Sequence, residues 1–187
     1  MSKVRITGGE WRSRLVTVAD ATSLRPTPDR VRETLFNWLG QDLTGWRCLD
    51  LFAGSGILGF ECASRGAAEV VLVERDQSVF RQLAQNAATL AGASAGSRLK
   101  PVRADALEFA AAAVQQEGSA DRFDLILLDP PYRQGWLDRV APSLSRLAGP
   151  DARVYAEAEH RIESLGDWRT LKQGQAGQVF YHLLGHE

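Results

Sequence analysis

Four consecutive residues, Asp129-Pro130-Pro131-Tyr132, follow the apolar run Phe123-Asp124-Leu125-Ile126-Leu127-Leu128 and could do chemistry together. Two prolines fix the backbone and carry no N–H, so the turn offers only acceptors, the Asp129 carboxylate and carbonyl oxygens, with an aromatic ring beside them. Such a set suits an amino group whose lone pair is delocalised into a ring. If Asp129 and the Pro130 carbonyl accept both amino hydrogens, the lone pair is aimed at an incoming electrophilic carbon, and alignment becomes the main rate term. Once the new bond forms, the nitrogen is cationic and its proton is acidic enough to leave through Asp129 or water. Tyr132 would stack on the base, worth about 1–3 kcal/mol by analogy with single-strand binders. A base inside a helix is unreachable, so the target must be unpaired or flipped. The bland alternative is a Pro-Pro turn that simply ends a strand.

A second constellation lies upstream, where Cys48-Leu49-Asp50-Leu51-Phe52 runs into Ala53-Gly54-Ser55-Gly56-Ile57-Leu58-Gly59. Gly54, Gly56 and Gly59 satisfy G-x-G-x-x-G between a predicted strand and a predicted helix, where glycines permit a tight turn and close approach to a ligand. Glu74 follows Gly54 by twenty residues, the spacing at which a carboxylate takes the hydroxyls of a ribose. NAD and S-adenosylmethionine both fit this pattern, and charge separates them. Asp50, Glu74, Asp105 and Asp129 fall near the carboxyl ends of successive predicted strands, which makes a negative rim. Unit charges about 6 Å apart interact by roughly 3 kcal/mol at an effective dielectric of ~20. A pyrophosphate would be opposed by such a rim, and a sulfonium favoured. Asp50 is then expected near the methionine end, Glu74 on the ribose, and Asp105 with the Ala106 backbone at the adenine edge. Asp105 can equally be a helix N-cap, and both roles can hold at once.

These residues need a scaffold that delivers strand ends to one place. From Trp46 onward the pattern alternates strand and helix, the signature of a parallel sheet covered on both faces. Strands are expected at Arg47 to Phe52, Glu69 to Glu74, Leu99 to Arg103 and Phe123 to Leu128. Helices are expected near Ile57 to Arg65, Gln77 to Ala91, Asp105 to Glu117 and Trp136 to Leu147. Three further strands are expected at Arg153 to Ala158, Trp168 to Lys172 and Val179 to Leu184, and loops at Gly92 to Gly96 and Gly118 to Ala120. Before them, Val4 and Ile6, then Leu15, Val16 and Val18, alternate around Gly8-Gly9 as a short hairpin. Next comes a helix with Thr27 as cap, Pro28 in its first turn and Gly40 at its close. Right-handed crossovers bring the loops after the parallel strands to one sheet edge, where ligands bind.

The chain's 187 residues, 44% hydrophobic and 24% charged, suit one globular core with an appendage and exclude a disordered or collagen-like chain. No apolar run approaches a membrane span and arginines interrupt the first 30 residues, so a cytoplasmic protein is expected. Cys48 and Cys62 read as buried thiols, and His160, His182 and His186 do not make a metal-binding helix; no metal site is expected. The net charge of −1 hides an asymmetry. Residues 1–32 hold Lys3, Arg5, Arg12, Arg14, Arg25, Arg30 and Arg32 against Glu10, Asp20 and Asp29, a basic arm on an acidic body. Such an arm suits a polyanion, although charge alone is equally compatible with a solvated face.

With these residues in view, the chain resembles class I S-adenosylmethionine-dependent methyltransferases of the amino-group type, and more closely the bacterial small-subunit ribosomal RNA guanine-N2 methyltransferase family known as RsmD. The resemblance spans nearly the whole chain. It rests on Arg5-Ile6-Thr7-Gly8-Gly9 with Trp11-Arg12, on Leu24-Arg25-Pro26-Thr27 with Arg30 to Asn37, on the Asp50 to Gly59 loop, on the Asp129 to Tyr132 turn and on Gly177-Gln178-Val179. The turn is shared with adenine-N6 and other amino methyltransferases; the Arg25 to Asn37 segment narrows the choice. Gln134-Gly135-Trp136, after the turn, departs from the family pattern.

The resemblance implies a Rossmann-like α/β fold, a mostly parallel seven-stranded sheet with helices on both faces and a small N-terminal β extension. Residues 1–40 would form the RNA-binding extension and residues 41–187 the S-adenosyl-L-methionine-dependent domain. It further implies methylation of the guanine 2-amino group at position 966 of 16S rRNA, in an assembled or assembling small ribosomal subunit, by a monomer. Asp129, Pro130 and Tyr132 would be catalytic. Asp50, Phe52, Ala53, Gly54, Ser55, Gly56, Glu74, Arg75, Asp105, Ala106 and Asp129 would bind the cofactor. Arg5, Arg12, Arg14, Arg25, Arg30 and Arg32 would bind RNA. Rival readings are a DNA adenine or protein glutamine methyltransferase, a non-catalytic RNA-binding assembly factor and, weakest, a nicotinamide oxidoreductase.

Overall fold

The computed structural model describes residues 1–20, 26–92, 97–115 (Val114 by its backbone alone) and 122–186. Arg25, the loop positions 93–96 and 118–120, and the expected helix end at Glu117 lie outside the described residues. The N-terminal hairpin pairs β1 (Ser2–Arg5) with β2 (Leu15–Val18) and leads to α1 (Asp29–Leu39). There follow β3 (Arg47–Asp50), α2 (Ile57–Ser64), β4 (Glu69–Glu74), α3 (Gln77–Ala91), β5 (Leu99–Arg103), α4 (Ala106–Gln115), β6 (Phe123–Leu128) and α5 (Trp136–Leu147). Four strands close the chain, β7 (Ala148–Ala158), β8 (Ser164–Leu165), β9 (Trp168–Ala176) and β10 (Val179–Gly185).

The larger sheet runs β5-β4-β3-β6-β7-β10-β9-β8, parallel from β5 to β7 and antiparallel thereafter. Strand order therefore reverses between β3 and β6, which opens a crevice at their carboxyl ends. Among the described residues this sheet has eight strands where seven were expected. The addition, β8, is a two-residue edge strand on β9, too short to leave a periodic signal. β7 also begins earlier than its apolar run, directly from the end of α5, and absorbs a register shift between Phe123 and Leu125 of β6.

Alternation along the central strands divides the core between the two faces of the sheet. Cys48, Val70, Leu72, Leu125 and Leu127 pack on one side with α2, α3 and the N-terminal segment; Leu49, Val71, Val73, Ile126 and Leu128 pack on the other with α4 and α5. Both cysteines are buried free thiols. Ile6, Trp11, Val16, Val31, Leu35 and Phe36 belong to the first of these cores, so the hairpin and α1 are built onto the sheet domain.

A buried ion network fixes that junction. Glu61, fully buried on α2, accepts from the Thr7 N–H and hydroxyl and from Arg65 Nη1, with Arg32 Nε 3.8 Å away. Arg32 is itself fully buried and donates to the carbonyls of Thr27 and Arg5 and to Asp29. The expected Thr27 cap is corrected here: Pro28 occupies the N-cap position without a side-chain bond, because the Thr27 hydroxyl is turned the other way, onto Glu157.

Candidate active site

Asp50 ends β3 fully inside the protein, with the Phe52 and Gly59 N–H groups favouring its charged form. Burial outweighs them and pushes its carboxyl up to about 7, and the Glu74 and Glu157 charges add to the rise. Asp50 Oδ1 is buried without a partner. The loop that follows is held by short backbone links, Ala53 N–H to the Val73 carbonyl at 2.9 Å and Gly56 N–H to the Ala53 carbonyl at 2.8 Å. Ser55 is buried, its Oγ facing the Ile57 N–H at 3.3 Å. Gly54 and Gly56 have φ of 54° and 88°, in the left-handed region that glycine tolerates. A Cβ on Gly56 would meet Leu83 and Phe60 at 2.5 Å. The requirement there is for α2 and α3 to close on the loop, a second demand beside approach to a ligand.

Glu74, at the end of β4, braces this loop: Oε2 accepts from the Gly54 N–H at 3.1 Å and Oε1 from the Asp76 N–H at 2.8 Å. Its remaining lone pairs stay available to hydroxyls, since a carboxylate offers about four acceptor sites. Arg75 beside it is exposed and reaches over Trp136, which packs edge-on against Phe52 with ring centres 5.5 Å apart. Asp105 caps α4, accepting from the Leu107 and Glu108 N–H groups at 2.9 and 3.2 Å; Ala106 is buried behind it.

The acceptor turn continues from β6. Asp129 is half-buried, Pro130 buried and Tyr132 42% exposed, enough to present its ring. Parallel pairing of Leu128 with Ala156 sets the next residue of β7, Glu157, beside Asp129, close enough for its charge to act on the Asp129 carboxyl. Glu157 is 4% exposed. Its Oε1 accepts from the Thr27 hydroxyl at 2.7 Å and the Tyr155 hydroxyl at 2.8 Å. Burial, and then the Glu157 charge, hold the Asp129 carboxyl well above the usual carboxylate range. The same two causes push the Tyr155 phenol up. Pro130, Tyr132, Trp136 and Glu157 line a hollow of about 510 Å³ whose far wall is the segment from Ala158 to Leu165.

The conserved hypothetical protein 95 family matches residues 4–185. Ribosomal RNA small subunit methyltransferase D of Escherichia coli K12 is 40% identical over 190 residues, covering 99% of this chain and 91% of that one. The chain belongs to the ribosomal RNA small subunit methyltransferase D family. The Haemophilus influenzae member is 37% identical over 97% of this chain and 93% of its own. The solved structure of Escherichia coli yhhF superposes with a TM-score of 0.82 at 39% identity, over 100% of this chain and 99% of that one. An RNA methyltransferase of Salinibacter ruber, solved with S-adenosyl-L-homocysteine, is 17% identical with a TM-score of 0.63 over 87% and 95% of the two chains, and shares the fold.

As a member of this methyltransferase family the protein uses S-adenosylmethionine, and the residues present fit it. The orphaned Asp50 Oδ1 lacks a donor or cation that this ligand carries, and the half-buried Glu74 has acceptor capacity for ribose hydroxyls.

The basic arm divides in the structure. Arg5, Arg12 and Arg30 are exposed, and Arg14 is exposed while donating to the Thr89 and Leu90 carbonyls at 3.1 and 3.3 Å. Arg32 is corrected: its guanidinium is enclosed by Thr27, Arg5, Asp29 and Glu61, so it holds the arm in place and offers no face to a phosphate. Trp11 is buried, and Trp38 packs on Tyr181 at 5.5 Å, so both belong to the core. Sequence reasoning missed Glu157, Thr27 in its contact with it, and Arg133, which is exposed at positive φ on the rim of the hollow. A glutamate inside Val154-Tyr155-Ala156-Glu157-Ala158 was the available signal, since an unpaired acid in an apolar strand needs a reason.

Proposed function

We propose that the protein transfers the methyl group of S-adenosylmethionine to the exocyclic 2-amino group of a guanine in 16S rRNA, within an assembled or assembling small ribosomal subunit. The coarser activity, S-adenosylmethionine-dependent methylation of rRNA, follows from family membership. The observation that carries the finer reading is the Pro130 turn, directly after Asp129, lining together with an exposed Tyr132 a hollow large enough for a flipped base. When bound, S-adenosylmethionine supplies an electrophilic methyl on a cationic sulfur.

The protein's own residues then do three things. Asp129 and the Pro130 carbonyl accept the two amino hydrogens, which holds the N2 lone pair in one direction. Tyr132 stacks on the ring and keeps the base out of its helix. As the N–C bond forms the S–methyl bond breaks and the neutral thioether S-adenosyl-L-homocysteine leaves; one of the two original N2 protons then passes to Asp129 or to water, restoring a neutral amine. Arg5, Arg12, Arg14 and Arg30 would meet RNA phosphates, and the hollow of about 340 Å³ among Lys3, Arg5, Pro28 and Asp29 leads from that arm towards Thr27.

The test is base-resolved mapping of the methyl group after incubating the protein and S-adenosylmethionine with unmethylated small-subunit particles. A single N2-methylguanine in 16S rRNA is expected. A methyl on adenine, or on protein glutamine, would overturn the assignment.

A further inference from the structure

An Asp-Pro-Pro-Tyr turn binds an amino group but does not tell which purine carries it. Adenine's amino group stands next to N1, an acceptor, whereas guanine's 2-amino group stands next to N1–H, a donor. The residue that faces that neighbouring ring nitrogen therefore decides between them. Glu157 is in the position to do so. It adjoins Asp129 at the end of the next strand, lines the same hollow as Pro130 and Tyr132, and is almost wholly buried.

Its anchoring fixes what it can offer. Two hydroxyls, from Thr27 and Tyr155, both donate to Oε1, which leaves the rest of its acceptor capacity for Asp129 and for the hollow. Among the described residues no arginine or lysine forms a salt bridge with Glu157. Three elements converge on it: the segment before α1 through Thr27, β7 through Tyr155, and β6 through Asp129. A carboxylate held this firmly presents acceptors in a fixed direction, and two adjacent carboxyl groups match two adjacent donors on one edge of a base.

Resting on the guanine-N2 reading above, we propose that Glu157 is the specificity-determining residue: it accepts the guanine N1–H while Asp129 and the Pro130 carbonyl take the 2-amino group. Adenine set in the same place would turn the N1 lone pair towards the carboxylate and leave Glu157 without a donor. A buried polar group left unpaired rejects the analogue that causes it. Thr27 then has a purpose beyond the helix it precedes, because its hydroxyl couples the RNA-facing arm to the residue that reads the base.

The test uses small-subunit particles reconstituted with 16S rRNA that carries either guanine or 2-aminopurine at the target. 2-Aminopurine keeps the 2-amino group but has a lone pair at N1 in place of N1–H. Wild-type protein is expected to methylate the 2-aminopurine particle with kcat/KM lower by about tenfold or more. In Glu157→Gln, the amide oxygen can still accept from Thr27 and Tyr155 while the amide nitrogen donates into the hollow. This variant is expected to lose activity on guanine and to narrow or reverse the preference. Equal wild-type rates on the two particles overturn the role of Glu157 and leave the guanine-N2 reading standing. An equal loss on both particles in Glu157→Gln, with S-adenosylmethionine binding retained, also overturns it, since it reports a structural role alone. Absence of any methyl transfer to the guanine particle overturns both readings. The wild-type comparison needs no variant, so a folding defect in Glu157→Gln does not shelter the proposal.

Discussion

Asp129→Ala removes the carboxylate that orients the amino group, yet the glycine loop, Glu74 and Asp105 remain in place. The variant is expected to lose about 100-fold or more in turnover while largely retaining S-adenosylmethionine binding, measured by single-turnover methylation beside calorimetry. Full activity would sink the alignment role. Asp50 makes a pH prediction whose sign follows from its raised value of about 7. The unfolded chain ionises this residue near 3.9. Between roughly pH 4 and 7 the folded protein therefore binds the extra proton, and the ligand-free protein loses stability as pH rises through that window. Asp50→Asn removes this loss, so its unfolding midpoint should gain on the wild type from about pH 4 to pH 7 and then level off. A pH-independent difference would show that the Asp50 carboxyl titrates normally.

At the scale of elements, the junction between the hairpin, α1 and α2 depends on one fully buried acid. Glu61→Ala leaves Arg32 and Arg65 as buried cations without their shared partner, which is expected to cost about 3–5 kcal/mol, read by denaturant unfolding. Arg32→Ala belongs to the same test: it should destabilise the fold, whereas removing an RNA contact would leave stability alone. Gly56→Ala is expected to lower the unfolding midpoint as well, because it combines a left-handed backbone with a Cβ driven into Leu83 and Phe60. Most elements were legible from their periodicity; β4, β5, β6, α3 and α5 lie at the expected residues. The departures come where tertiary pairing, not local pattern, sets the limits. β9 extends through polar residues to Ala176 because β10 pairs with it from Lys172 on to Ala176, and Thr27 gives up capping α1 for a buried carboxylate.

For the whole molecule, charge should govern the encounter with rRNA. Replacing Arg5, Arg12 and Arg30 with alanine is expected to weaken binding to small-subunit particles across sequences and to flatten the dependence on salt. The log–log slope should fall by roughly one for each arginine that meets a phosphate. An unchanged slope would mean that another surface meets the RNA. Among the described residues no helix is long and apolar enough to cross a membrane. The sequence by itself determined which strand ends carry carboxylates, where the glycine loop turns and where two prolines leave only acceptors, because these are properties of neighbouring residues. Only the tertiary structure decided that Glu157 stands beside Asp129 and that Arg32 is enclosed. Residues 129 and 157 meet through the register of two parallel strands, and 32 and 61 through the packing of two helices; neither distance is written in local spacing.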